Sequence, residues 1–265
     1  MPDWGDVRGI RFETLGSNSG TSEGVVVIAP SGAHSKVNSW TALGVTAFHA
    51  TGIYVNVHNM TGILAYLDIS IGTATGIIIP DIAIDRPATA IGLQYYFPIS
   101  VPAGTALWAR TQSATISATM SVSVTLVSGE EFLAGQAVQT FGLVTGSTTG
   151  TSITPSVNTE GVSTVIAGTV LRPLRYLSLA LGTLGRTANQ NASYLVDIRV
   201  NDGTVYDLIS NIPFRTGSTP DIPGQCFYGP YTVSVPVGAA FQVRAQTNFT
   251  GGQAKTISAV LYGVS

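Results

Sequence analysis

The chain has 265 residues, 45% of them hydrophobic and only 10% charged, and 12 Lys+Arg against 14 Asp+Glu leave a net charge of −2. No basic cluster supplies the concentrated positive surface that nucleic-acid binding needs, one cysteine, Cys226, excludes an internal disulfide framework, and no apolar run approaches the roughly 18 residues of a membrane helix. The length fits about two domains, and a mean hydropathy of +0.33 sends the apolar surplus into cores and contacts, since a surface this poor in charge is weakly defended against association.

In chain order, the local pattern is strand after strand. Residues 24–29 form a Val/Ile run, 53–58 alternate apolar and polar with the period of a half-buried strand, and 62–71 are longer and more apolar. Further strands are predicted over 77–84, 94–101, 106–112 and 119–127, then over 162–170, 176–182, 192–200, 205–212, 229–235, 240–246 and 256–262. Turn-formers such as Asn201-Asp202-Gly203 and Gly251-Gly252 separate them. Many short strands at regular spacing with such turns indicate an all-β protein of the β-sandwich or jelly-roll type.

A series of blocks occurs twice in the same order. Val101-Pro102-Ala103-Gly104 followed by Ala109-Arg110-Thr111-Gln112 returns 134 residues later as Val235-Pro236-Val237-Gly238 and Val243-Arg244-Ala245-Gln246. Upstream, Tyr66-Leu67-Asp68-Ile69 returns 129 residues later as Leu195-Val196-Asp197-Ile198; downstream, Ser121 to Leu126 returns 135 residues later as Thr256 to Leu261. A slowly drifting offset of domain size means a tandem duplication with small loop insertions. The fold expected is therefore two duplicated β-sandwich, jelly-roll-like modules, 1–128 and 140–265, joined by a linker over 129–139.

The repeated residues are read as structural. Pro102 with Gly104, and Pro236 with Gly238, cap an incoming strand and turn it into the Arg-bearing strand as a hairpin-like corner, because proline fixes φ and glycine permits a tight turn. Asp68 and Asp197 recur at equivalent places, as do Arg110 and Arg244, and a carboxylate and a guanidinium on neighbouring strands are expected to make a bidentate bridge within each module. No catalytic, cofactor-binding or metal-binding residue is assigned. His34, His49 and His58 all lie in the first module without a nucleophile elbow or ligand spacing. Glycoside hydrolysis needs two facing carboxylates, whereas Asp68 and Asp197 fall in separate modules, and phosphate-binding glycine loops are missing. Cys226 reads as a small buried apolar residue.

The segment Tyr95-Tyr96-Phe97-Pro98-Ile99-Ser100-Val101-Pro102-Ala103-Gly104-Thr105, leading to Ala109-Arg110, is similar to a phrase in structural proteins of tailed-bacteriophage virions. The resemblance covers about the last third of each module and carries over no functional residue. It implies a non-enzymatic protein of a phage particle, of the capsid decoration or cement, head-spike, collar or tail accessory type. Such a protein would be made in the host cytoplasm, consistent with an opening Met1-Pro2-Asp3-Trp4-Gly5-Asp6 that lacks a Sec-type leader pattern. Its partners would be other virion proteins and copies of itself as a homo-oligomer, with no nucleic acid and no membrane. Two alternatives are a carbohydrate-binding or host-attachment module, with Trp40, Trp108, Tyr95, Tyr96, Tyr228 and Tyr231 among its aromatic platform, and a jelly-roll glycosidase or lyase.

Overall fold

The computed structural model describes residues 10–17, 24–28, 40–58, 60–61, 64–72, 76–85, 92–113, 117–129, 134–143, 150–182, 192–216, 225–249 and 256–265. The described residues hold strands and no helix, so none is long and apolar enough to cross a membrane. The first half supplies β1 (Arg11–Leu15), β2 (Val25–Ile28), β3 (Thr41–Val45), β4 (Gly52–His58), β5 (Leu64–Ile71), β6 (Ile77–Asp85), β7 (Leu93–Phe97), β8 (Ala106–Ser113) and β9 (Thr119–Ser128). The second half supplies β10 (Val138–Phe141), β11 (Thr151–Ile153), β12 (Ser156–Val157), β13 (Thr164–Thr169), β14 (Leu174–Gly182), β15 (Ala192–Asn201), β16 (Val205–Thr216), β17 (Gln225–Val235), β18 (Ala240–Thr247) and β19 (Ile257–Val264).

Each half is a jelly roll with a matching strand order, except that the parallel strand β12 on β18 has no counterpart among the described strands of module 1. Module 1 pairs β1-β9-β4-β7, with β2 also on β9, against β3-β8-β5-β6; module 2 pairs β10-β19-β14-β17, with β11 on β19, against β12-β18-β15-β16, with β13 on β18. Short edge segments the sequence pattern missed, β1, β3, β10, β11 and β12, are too brief or too exposed to show an apolar alternation. β10 starts at Val138, inside the segment read as linker, of which 130–133 lie outside the described residues. The strand expected over 94–101 ends at Phe97, where Pro98 cannot donate to the ladder.

The Pro-Gly corners differ from the hairpin-like joint expected of them. β7 and β8 belong to opposite sheets, as do β17 and β18, so each corner carries the chain across the sandwich. Gly104 (φ +74°) and Gly238 (φ +85°) adopt the left-handed turn conformation that glycine takes without a Cβ penalty. Their amides donate to Thr46 O and Val170 O, tying each corner to the crossover on the far side at 2.8 Å.

The two modules meet over a sheet face. Along β19, Ile257, Ala259 and Leu261 fill the module 2 core, while Val260, Tyr262 and Val264 belong to a cluster continuous with the module 1 core. β14 divides likewise, Leu177, Leu179 and Leu181 inward and Tyr176 and Ala180 toward module 1. The receiving surface is the side of module 1 where β6 and β7, edge strands of its two sheets, lie open. Phe227 packs edge-on against Tyr95 and Phe97 (ring centroids 5.1 and 5.8 Å) and Tyr262 against Phe97 (5.7 Å). Hydrogen bonds cross this seam: Ala83 N–H donates to Tyr262 Oη (2.8 Å), Gln225 Nε2 donates to Ala83 O (2.8 Å), and Thr140 Oγ1 donates to Pro80 O (2.5 Å).

Burial pushes the Tyr262 phenol well above its ordinary value of 10.0. A folded-state value above the unfolded one adds stability that is complete below the unfolded value and is lost as pH rises toward the folded value. Tyr262→Phe is therefore expected to cost about 1–3 kcal/mol by leaving the buried Ala83 N–H without an acceptor. It should also make the loss of stability above about pH 10 shallower. Chemical unfolding of parent and variant across the alkaline range measures both.

Candidate functional site

The repeated Asp and Arg come together inside each module. Asp68 on β5 is the register partner of Arg110 on β8, and Asp197 on β15 is the partner of Arg244 on β18. Arg110 Nε reaches Asp68 Oδ2 at 2.7 Å, and Arg244 Nε reaches Asp197 Oδ2 at 3.0 Å. The bridge differs from the bidentate one expected, because Oδ1 of each carboxylate has another duty: it accepts the backbone amide of Asp81 or of Asn211, each at 2.7 Å. Those two residues sit at φ +54° and +58°, where the edge strand slips register opposite Leu67–Ile69 and Val196–Ile198. Asp and Asn tolerate this left-handed conformation better than other non-glycine residues, which explains why Asp81 can be replaced by Asn in the second copy. Each carboxylate thus pins a β-bulge on one side and a neighbouring strand on the other.

The surroundings of the two pairs diverge. Asp68 and Arg110 are 3% and 9% exposed, and the guanidinium stacks over Trp40 at 4.5 Å. Gln112 Nε2 donates to Asp81 Oδ1 at 2.8 Å. Arg244 faces more carboxylates, bonding Asp207 at 3.1 Å and Glu160 at 2.5 Å, both partly solvated. Such exposed partners add little each.

The remaining candidates do not assemble. Asp68 and Asp197 stay within separate modules, each held by its own arginine. His49 Nε2 meets Ser100 Oγ at 2.7 Å at an exposed position, and His34 lies outside the described residues. Among the described residues, no group of three or more His, Cys, Asp or Glu is placed to hold a metal ion. The aromatic residues do not form one platform: Tyr95 is buried at the seam, Trp40 lies over Arg110, and Tyr96 packs on Tyr54 with centroids 4.6 Å apart.

A feature the sequence reading missed is a groove of about 680 Å³ on module 2, lined by Leu195, Pro213, Phe214, Cys226, Tyr228 and Gln246 among others. It spans β15, β16, β17 and β18 at their edge. Tyr228 Oη donates to Pro213 O at 2.7 Å, and burial raises the Cys226 thiol above its ordinary value of 9.0 despite a hydrogen bond to Tyr228, which makes it a weak nucleophile. The only sequence signal for the groove was position, since its residues are scattered over four strands.

No family model matches the chain, and no curated protein matches it significantly. Solved structures match over both modules. One, described as the atomic structure of Sulfolobus Turreted Icosahedral Virus, is 9% identical, with 96% of this chain and 90% of that chain covered and a TM-score of 0.41. Another, the N-terminal CBM22-1-CBM22-2 tandem domain from Paenibacillus barcinonensis Xyn10C, is 10% identical, with 97% and 92% covered and a TM-score of 0.27.

Replacing Arg110 by Met should leave Asp68 buried and short of its cationic partner. The expected loss of unfolding free energy is on the order of 3–5 kcal/mol. Arg110→Lys, which keeps the charge without the planar fork, should lose less. Equilibrium denaturation of the three proteins gives the ranking.

Proposed function

We propose that this chain is a non-enzymatic structural component of a bacteriophage particle, of the capsid decoration or head-tail and tail accessory type, acting through contacts between subunits. The observation that carries this reading is the way its modules associate. Module 2 sets the central part of one sheet face, on β10, β14, β17 and β19, against another jelly roll, using apolar packing with a few hydrogen bonds, so the fold is used as a face-to-face building block. Two features support it further. Large apolar side chains stand exposed, among them Phe12, Val26, Ile28, Val162, Val165 and Leu171, on a chain with only 10% charged residues, and a surface this poor in charge is weakly defended against association. Among the described residues, the ionisable groups that pair at equivalent places in both modules, Asp68 with Arg110 and Asp197 with Arg244, serve strand edges rather than facing one reacting centre.

The role of Asp68, Arg110, Asp197 and Arg244 is accordingly structural in this reading, as is that of the corner residues Pro102, Gly104, Pro236 and Gly238. The reading predicts that a mass-spectrometric inventory of the purified particle finds this chain at many copies per particle, together with the head or tail proteins it contacts. Recovery of the chain only from the soluble fraction of infected cells would count against it.

A further inference from the structure

Resting on that structural reading, we infer that the groove on module 2 receives the outer face of the β1-β9-β4-β7 sheet of a second copy, so that copies join head to tail.

The argument begins with register. In module 1, Tyr66 on β5 is flanked by Ala83 and Gln112, and Ala83 lies where module 2 docks, bonding both Tyr262 and Gln225. In module 2, Leu195 on β15 is flanked by Pro213 and Gln246 in the same arrangement, and all three line the groove. Likewise Tyr95 and Phe97, the seam residues paired to Val55 and Ile53, correspond to Cys226 and Tyr228, paired to Leu181 and Leu179. The groove is thus the counterpart of the place where module 1 receives its neighbour, and no described residue fills it. Module 2 cannot supply the occupant from its own outer face, which is already against module 1. Among the described residues, no other sheet packs on the corresponding face of module 1.

That face and the groove have changed together. At the seam, the floor includes the large Tyr66 and Tyr95, and the facing sheet sets the small Ala180 and Gly182 among its larger Tyr262 and Phe227. In the second pairing the sizes are exchanged: the floor carries Leu195 and Cys226, and the register positions of Ala180 and Gly182 carry Tyr54 and Asn56. The hydrogen bond between Ala83 N–H and Tyr262 has lost both ends at once, since Pro213 has no N–H and the counterpart of Tyr262 is Val127. Removing donor and acceptor together is close to neutral, whereas removing one alone leaves a buried polar group unmatched. An aromatic contact is kept in kind, Phe97 with Phe227 becoming Tyr228 with Tyr96. Around it the face exposes Phe12 (65% exposed), and the groove exposes Leu195 (36%).

A contact between two different surfaces is heterologous, and it builds rings or open chains. That makes it separable into halves. A groove variant, Leu195→Lys, and a face variant, Tyr96→Lys, are each expected to weaken concentration-dependent self-association at least about tenfold while unfolding cooperatively as the parent does. Phe12→Lys serves as a second face variant at a more exposed position. Mixed together, a groove variant and a face variant retain one intact half each and should form a one-to-one dimer and nothing larger, read by sedimentation velocity. A parent that stays monomeric at its highest soluble concentration, variants that associate like the parent, or a mixture that fails to dimerise would overturn the inference. So would a saccharide bound in the groove of a protein that remains monomeric. None of these outcomes bears on whether the chain is found in particles, which the inventory decides separately.

Discussion

The β10-β19-β14-β17 sheet packs against two layers at once, and the arrangement of the molecule depends on that demand. A sheet with one wet face alternates apolar and polar residues, whereas one covered on both sides must be apolar throughout. β19 meets this with every residue buried. On its far side the buried hydroxyls of Ser178 and Ser258 have no side-chain partner among the described residues, while Tyr262 and the neighbouring Thr140 and Gln225 are matched to the backbone of β6. Burial without partners would be costly for such groups, so the seam is specific as well as adhesive.

The paired carboxylates and arginines act on the same edge. Asp68 holds the amide of Asp81 in the bulge, and Ala83, two residues on, presents its N–H and C=O to module 2. A bulge bends and re-aims an edge strand, and the buried Arg110 fixes the carboxylate that fixes the bulge. The ion pair thereby helps to aim the strand that the seam reads. The same device in module 2, with Asn211 in the bulge and Pro213 two residues on, shapes one wall of the groove. Proline is tolerated there because β16 is an edge strand.

The two modules present two copies of each surface, and among the described residues one copy of each forms the internal seam. The other copies have diverged. The outer face of module 1 carries a polar chain, Thr14 to Thr125, Asn56 to Thr125 and Gln94 to Asn56, where module 2 has Val260 and Gly182. A permanent internal seam tolerates an apolar face, while a surface that meets water before meeting a partner needs hydrogen-bonding groups to stay soluble.

The all-β class and the duplication were legible in the sequence because strand periodicity is local and the repeat preserves residue order. The Asp and Arg positions were legible for the same reason: Asp68 and Arg110 recur as Asp197 and Arg244 at nearly constant offset. Short edge strands such as β3 and β10 were not, since their pairing comes from the partner strand rather than from their own alternation. The division of the carboxylate between bulge and arginine, the passage of the Pro-Gly corners between sheets, the seam and the groove were decided only by tertiary structure. Each joins residues far apart in the chain, Ala83 with Tyr262 or Leu195 with Pro213 and Gln246. Composition sets how much apolar surface must be covered, but which face covers which edge follows from how the sheets stack in space.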